Sequence, residues 1–231
     1  MFPLVCREQD GHKPKASKPY PQRISLLLMF CGFFIGEFMR LVYGFGVNDA
    51  DYVTQKKQGS KYLTCPAYMA WRNMIKRVFS KTYQRERPTY KLVTVCDEWR
   101  SFMSFREWWL ENHVGGWQID KDLLSEKKLY SPETCIYVPA WLNSFTLSNE
   151  SSRGDFPIGV CFCKSSSAFV VHCRNPITKK QERLGAFGDP SVAGMAWIKR
   201  KLEIAEELKP QMDLIDDRIY NGVVRIILSC R

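Results

Sequence analysis

GWQIDKDLLSEKKLYSPETCIYVPAWLN, residues 116 to 143, is the stretch on which the fold turns. It opens with a strand-like Gly-Trp-Gln-Ile-Asp and runs through the polar turn Ser125-Glu126-Lys127-Lys128. It closes on Tyr130 to Thr134, where Ser131 can cap a helix and Pro132 can occupy its first position, because proline gives up only a donor orphaned there anyway. Strand, loop, strand or turn, then helix makes a small ββα hairpin. It puts Asp120 at the end of one strand and Asn143 on the closing helix, able to bring two oxygen ligands around a hard cation. Asp122 shares the face of Asp120 if the strand continues, and so offers a second carboxylate.

These residues resemble the ββα-metal core of HNH nucleases, particularly the bacteriophage homing-endonuclease branch. Ile119-Asp120 matches that branch's Leu-Asp, Tyr130-Ser131-Pro132-Glu133 its Tyr-Ser-Pro-Glu, and Cys135 and Val138 follow in place. Asn143 falls where the family's last metal ligand lies. Two positions depart from the pattern. Lys121 stands where the family has the His that activates water, and Thr134 replaces the central Asn that braces the loop. The resemblance implies Asp120 and Asn143 as metal ligands, and leaves the general base open.

Composition constrains the partner. The 231 residues suit one large or two modest domains, and the formal charge of +10 with a pI near 9.2 favours a polyanion. Nucleic acid fits that balance, as does an anionic membrane surface. Nine cysteines without a Cys-x-x-Cys pair read as reduced thiols of a cytosolic protein, packed as small apolar groups.

Residues 1–38 read as separate from the fold. An apolar run from Ile24 to Ile35, about 12 residues, falls short of the roughly 20 that cross a bilayer. It has the length of a signal-peptide core but no small-x-small cleavage site follows it. Relatives in the resembled family begin near the equivalent of Tyr43-Gly44-Phe45-Gly46-Val47-Asn48-Asp49-Ala50-Asp51-Tyr52. Gly36-Glu37-Phe38 can be encoded as a ribosome-binding sequence ahead of Met39. The expectation is therefore a mistaken start, with translation beginning at Met39; a signal or anchor segment is the alternative.

From Cys65 the pattern turns helical. Tyr68, Trp71, Met74/Ile75 and Val78/Phe79 form one apolar stripe, with Arg72, Lys76, Arg77 and Lys81 opposite, as a solvated or a phosphate-contacting face. Leu92 to Val95 reads as a strand. Cys96-Asp97-Glu98 begins a second helix with Trp99, Phe102, Phe105 and Trp109 inward, Asp97 and Glu98 serving its positive end. His113 sits at a helix end before two glycines, as a capping imidazole or, with Lys121 in the usual base position, as the general base. Cys65, Cys96, Cys135 and His113 lack the spacing of paired zinc knuckles.

Beyond a Ser/Asn/Gly-rich linker, 144–154, Phe156 to Lys164, Ala168 to Arg174 and Glu182 to Gly185 read as strands, and Asp189-Pro190 starts a helix to about Leu208. Gly159-Val160, Phe169, Arg174-Asn175-Pro176, Leu184-Gly185-Ala186-Phe187, Ala193, Ala196 and Trp197 resemble the plant ethylene-response-factor-type (AP-two) DNA-binding domain. That family lays its sheet in the major groove. The resemblance implies Lys164, His172, Arg174, Lys179, Lys180 and Arg183 as DNA contacts; alternation puts Val170, His172 and Arg174 on one face, opposite Phe169, Val171 and Cys173. Cys161 stands where the family has Arg. The alternative is a sheet and helix with a solvated basic face.

Together these readings give an α+β chain: a helical region leading into a ββα-metal (HNH-like) core, then a three-stranded antiparallel sheet plus helix. The expected divisions are a leader 1–38, a nuclease domain 39–143, the linker 144–154, a DNA-binding domain 155–209 and a tail 210–231 that packs back. The resemblance implies an endonuclease that cuts or nicks duplex DNA as a monomer in the cytoplasm of a phage-infected host, with no membrane partner and one Mg²⁺ or Mn²⁺ ion. Lys121 would act as a cation beside the phosphate, with Asp122 and His113 as further catalytic candidates. A DNA-binding protein that no longer cuts is the alternative, and a secreted or tethered protein the third.

Overall fold

The structure of the protein is a computed structural model that describes residues 41–146 and 155–230. The expectations for 1–38 and for most of the linker lie outside the described residues. The chain is mixed helix and sheet, with small antiparallel sheets, and divides into two compact units between Asn112 and His113. No helix among the described residues is long and apolar enough to cross a membrane.

The first unit opens with an antiparallel ribbon, β1 (Gln55–Gln58) and β2 (Lys61–Thr64), turned by Gly59 at φ +61. Helix α1 (Pro66–Phe79) buries the expected stripe of Tyr68, Trp71, Met74, Ile75 and Val78. Short α2 (Lys81–Glu86) and a 3-10 turn (Pro88–Leu92) lead to a two-residue strand, β3 (Thr94–Val95). The second long helix starts later than its sequence suggests. Glu98–Arg100 is a separate 3-10 turn, and α3 (Phe102–Asn112) begins after Ser101. Asp97 and Glu98 make no side-chain cap. Instead Ser101 Oγ accepts from Ser104 N at 3.0 Å and Asp49 Oδ1 from Met103 N at 3.0 Å. Trp71, Trp99, Phe102 and Phe105 form the aromatic interior, pinned where Trp71 Nε1 donates to Trp99 O at 2.8 Å.

The second unit contains β4 (Gln118–Asp120), β5 (Leu129–Tyr130), β6 (Ile136–Val138) and α4 (Ala140–Thr146). The sheet of β7 (Val160–Cys163), β8 (Ala168–Arg174) and β9 (Gln181–Phe187) follows, then α5 (Pro190–Asp213) and α6 (Ile219–Ser229). Ser131 and Pro132 do not start a helix. The Ser131 N–H goes to Thr134 Oγ1 at 3.1 Å, the β-branched Ile136 and Val138 extend as β6, and the helix begins after Pro139. Asp189 does cap α5 as its sequence indicates, accepting from Ser191 N at 2.7 Å and Val192 N at 3.0 Å. The helix then runs past Leu208 and through Pro210, where buried Leu208 and Met212 hold it against the core.

One apolar cluster joins Leu123, Val138, Leu142 and Phe145 to Val171, Cys173, Trp197, Ile204, Ile219, Val223 and Ile227. The observed division at Asn112 and His113 therefore does not coincide with the expected one at 144–154: the ββα segment shares its core with the sheet and helices that follow. The tail does pack back, as α6.

Candidate functional site

Strands β4 and β6 pair antiparallel, with Gln118 opposite Val138, Ile119 opposite Tyr137 and Asp120 opposite Ile136. Cross-strand partners share a face, so Gln118, Asp120, Ile136 and Val138 lie on one side and Ile119 and Tyr137 on the other. Asn143 Nδ2 donates to Gln118 Oε1, which holds the α4 carboxamide on the Asp120 side, one pleat from Asp120. The two candidate ligands are thus brought to one face.

Asp120 closes β4 in a tight turn. Its Oδ1 accepts from Asp122 N at 2.8 Å and Leu123 N at 2.9 Å, while Oδ2 makes no hydrogen bond among the described residues. Burial pushes its carboxyl above the usual range, opposed by those two backbone donors. A carboxylate oriented through one oxygen, with the other available, suits a hard cation completed by water and phosphate oxygens. The remaining donors are sparse: no group of three or more His, Cys, Asp or Glu able to hold a metal occurs among the described residues.

Lys121 is 8% exposed, with Nζ 2.6 Å from Asp122 Oδ1 and 5.9 Å from the Tyr130 ring centroid. Asp122 is exposed and its carboxylate is engaged by that lysine. His113 packs edge-on against Tyr137, with ring centroids 5.2 Å apart, and burial lowers its pKa. It therefore lies on the Tyr137 side of the hairpin, and the structure does not bring it to the face of Asp120. Thr134 ties the loop together: its hydroxyl donates to Leu129 O at 2.6 Å and accepts from Ser131 N at 3.1 Å.

The β7–β8–β9 sheet has a second distinct face. Val171 and Cys173 enter the core with Phe169 packed against it, and Glu182 turns toward α5 to bind Arg200 Nε at 2.7 Å. Alternation then places His172 and Arg174 outward, with Arg183 opposite His172 and Gln181 opposite Arg174. Lys179 and Lys180 occupy the β8–β9 turn, which Asn175 shapes by accepting from Ile177 N at 2.9 Å and Thr178 N at 3.2 Å. These five basic or imidazole side chains gather at one end of the sheet. Lys164 belongs to the β7–β8 turn, at the other end of β8. Gly159 is dictated by packing: at φ +73, a Cβ there would lie 2.2 Å from Trp197 Cδ1.

Sequence reasoning passed over Gln118, Gly222 and Arg225. Gln118 could have been found, since it stands two residues before Asp120 on the same face. Arg225 could not, because its partners lie 102 and 103 residues away. Arg225 Nη2 donates to Asp122 O, and to Leu123 O at 3.2 Å, and its Nε lies 3.6 Å from Glu126 Oε1.

Comparison with family models, curated proteins and solved structures finds no match to this chain.

Proposed function

We propose that the protein is an HNH-type DNA endonuclease that hydrolyses phosphodiester bonds in duplex DNA, with β4, β6 and α4 forming its ββα-metal core. The observation that carries this reading is the placement of Asp120 and Asn143 on one face of the β4–β6 pair, with Asp120 Oδ2 available. Mg²⁺ or Mn²⁺, when bound, supplies Lewis-acid stabilisation of charge on the phosphate and on the leaving oxygen. Asp120 offers a carboxylate oxygen held in place by two backbone donors, and Asn143 offers a carboxamide oxygen held through Gln118. Lys121, paired with Asp122 at 2.6 Å, acts on the site electrostatically in this reading, which assigns no proton transfer to it or to His113.

Duplex DNA is the partner that the basic content supports. The outward His172, Arg174 and Arg183, with Lys179 and Lys180, suit phosphate and base-edge contact. The span from Tyr52 to Cys96 carries ten Lys and Arg and a single acid, Glu86. A second reading, a DNA-binding protein that does not cut, draws on the buried, paired Lys121 and on the placement of His113 away from Asp120. Nicking of supercoiled plasmid in Mg²⁺ or Mn²⁺, against EDTA, decides between them. Metal-dependent nicking by the parent and its loss in Asp120→Ala is the expected result; duplex binding without nicking favours the second reading.

A further inference from the structure

We infer that α6 completes the metal site and that Arg225 is a positioning residue, setting the Asp120 carboxylate through the peptide between Asp122 and Leu123. The inference rests on the reading of Asp120 as a metal ligand.

That peptide is held from both sides. Its N–H, on Leu123, donates to Asp120 Oδ1 at 2.9 Å, and its C=O, on Asp122, accepts from Arg225 Nη2. In a trans peptide the N–H and C=O point in opposite directions, so a cation on the oxygen and an anion on the hydrogen polarise the group in the same sense. The next carbonyl, Leu123 O, accepts from the same Nη2 at 3.2 Å, fixing two successive peptide planes. The planar guanidinium suits two neighbouring acceptors better than a rotating ammonium does.

The apolar side of the turn is secured by the same helix. Leu123 is fully buried in the cluster that includes Ile219, Val223 and Ile227, all from α6. Gly222 provides the clearance: a Cβ there would sit 1.8 Å from Leu123 O, so no side chain fits without displacing the turn. Charge, hydrogen bonds and close backbone approach from one helix thus converge on Asp122 and Leu123, just beyond the candidate ligand. Carbonyl and carboxylate groups that orient a metal ligand commonly change metal affinity by about 10–100-fold when lost.

The test measures Mn²⁺ affinity of the full chain by electron paramagnetic resonance, beside amide exchange at Leu123, in the parent, Arg225→Lys, Arg225→Met and Asp120→Ala. The expected order of Mn²⁺ affinity is parent, then Arg225→Lys, then Arg225→Met weaker by about tenfold or more. Leu123 exchange should quicken in the same order while amides of the α5 interior keep the parental rate. A merely structural role would lower thermal stability without this graded affinity at temperatures where every variant is folded. Should Arg225→Met not fold, Arg225→Lys carries the comparison, and parental Mn²⁺ affinity in it overturns the inference. Parental affinity in both Arg225 variants, with Asp120→Ala deficient, overturns the role of Arg225 alone. Asp120→Ala binding Mn²⁺ as the parent does removes the metal reading, and the inference with it.

Discussion

Residues 41 to 112 carry twelve Lys and Arg against seven Asp and Glu; residues 113 to 231 carry sixteen against fourteen. The units also use their cations differently. In the first, Lys57 and Lys61 stand exposed on the β1–β2 ribbon beside Tyr62 and Leu63, 65% and 54% exposed. In the second, several cations are built into the fold. Lys121 holds Asp122, Arg225 holds two carbonyls, and Arg200 joins Glu182, Glu203 and Glu207. Lys201 is buried, donating to Phe145 O at 2.8 Å with its ammonium 3.6 Å from the Phe145 ring centroid. A formal charge of +10 therefore says little about where a polyanion would sit: the surplus lies mainly ahead of His113, while the candidate chemistry lies after it.

The sharpest break between the units comes from Asp120→Ala. We expect plasmid nicking to fall by at least about a hundredfold, the scale of losing a metal ligand's contribution, with duplex affinity held within about twofold. Nicking at the parental rate would move the chemistry out of the second unit.

Lys201 gives the next effect. Burial lowers its pKa from 10.5 to about 8, so between those pH values the unfolded chain binds a proton that the folded chain has released. Folding stability should then rise with pH from about 8 to 10.5, by about 3 kcal/mol if the whole difference is realised. Below pH 8 both states hold the proton and the contribution is flat. Denaturant unfolding of the parent and of Lys201→Met across this window checks it; equal pH slopes in the two proteins would contradict the burial of a titrating ammonium.

The fold was legible where a local rule and the tertiary context agree. Asp189-Pro190 caps its helix because the aspartate acceptor and the proline serve the same helix end, and Ala168 to Arg174 is a strand along its whole expected length. It was illegible where a distant partner decides. Ser131-Pro132 satisfies the rule for a helix start, yet Thr134 takes the donor and the chain extends. Pro210 signals a stop, yet Leu208 and Met212 bury the helix on either side of it. For the candidate site, Asp120 and Asn143 were marked by the positions they occupy in the resembled motif. The face that His113 occupies could not be marked that way, since it depends on the register of β4 against β6.

Two smaller effects sharpen the comparison further. Replacing Lys57 and Lys61 with Ser, or Arg174 and Arg183 with Gln, should each remove about two phosphate contacts, flattening the slope of log affinity against log salt by about 1.8. Equal losses would assign duplex binding to both units, and a loss confined to the ribbon pair would leave the β8–β9 face without a DNA role. The smallest effect concerns Cys163. Hydrogen bonds from Ser165 and Ser166 bring its pKa down to about 7, so at pH 7.5 its thiolate should react with iodoacetamide several-fold faster than the Cys161 thiol. Peptide mapping after brief alkylation reads this directly, and equal labelling of the two would refute it.

The span between Asp122 and Arg225 also sets a timetable for synthesis. Their bond closes a separation of 103 residues. A ribosome adding roughly 5–20 residues per second makes Arg225 on the order of 5–20 s after Asp122. During that interval the turn after Asp120 exists without the helix that grips it, and Leu123 has no apolar surface from α6 to enter. A nascent chain halted near Pro210 would carry every residue of the strand–strand–helix hairpin and still lack its finished turn.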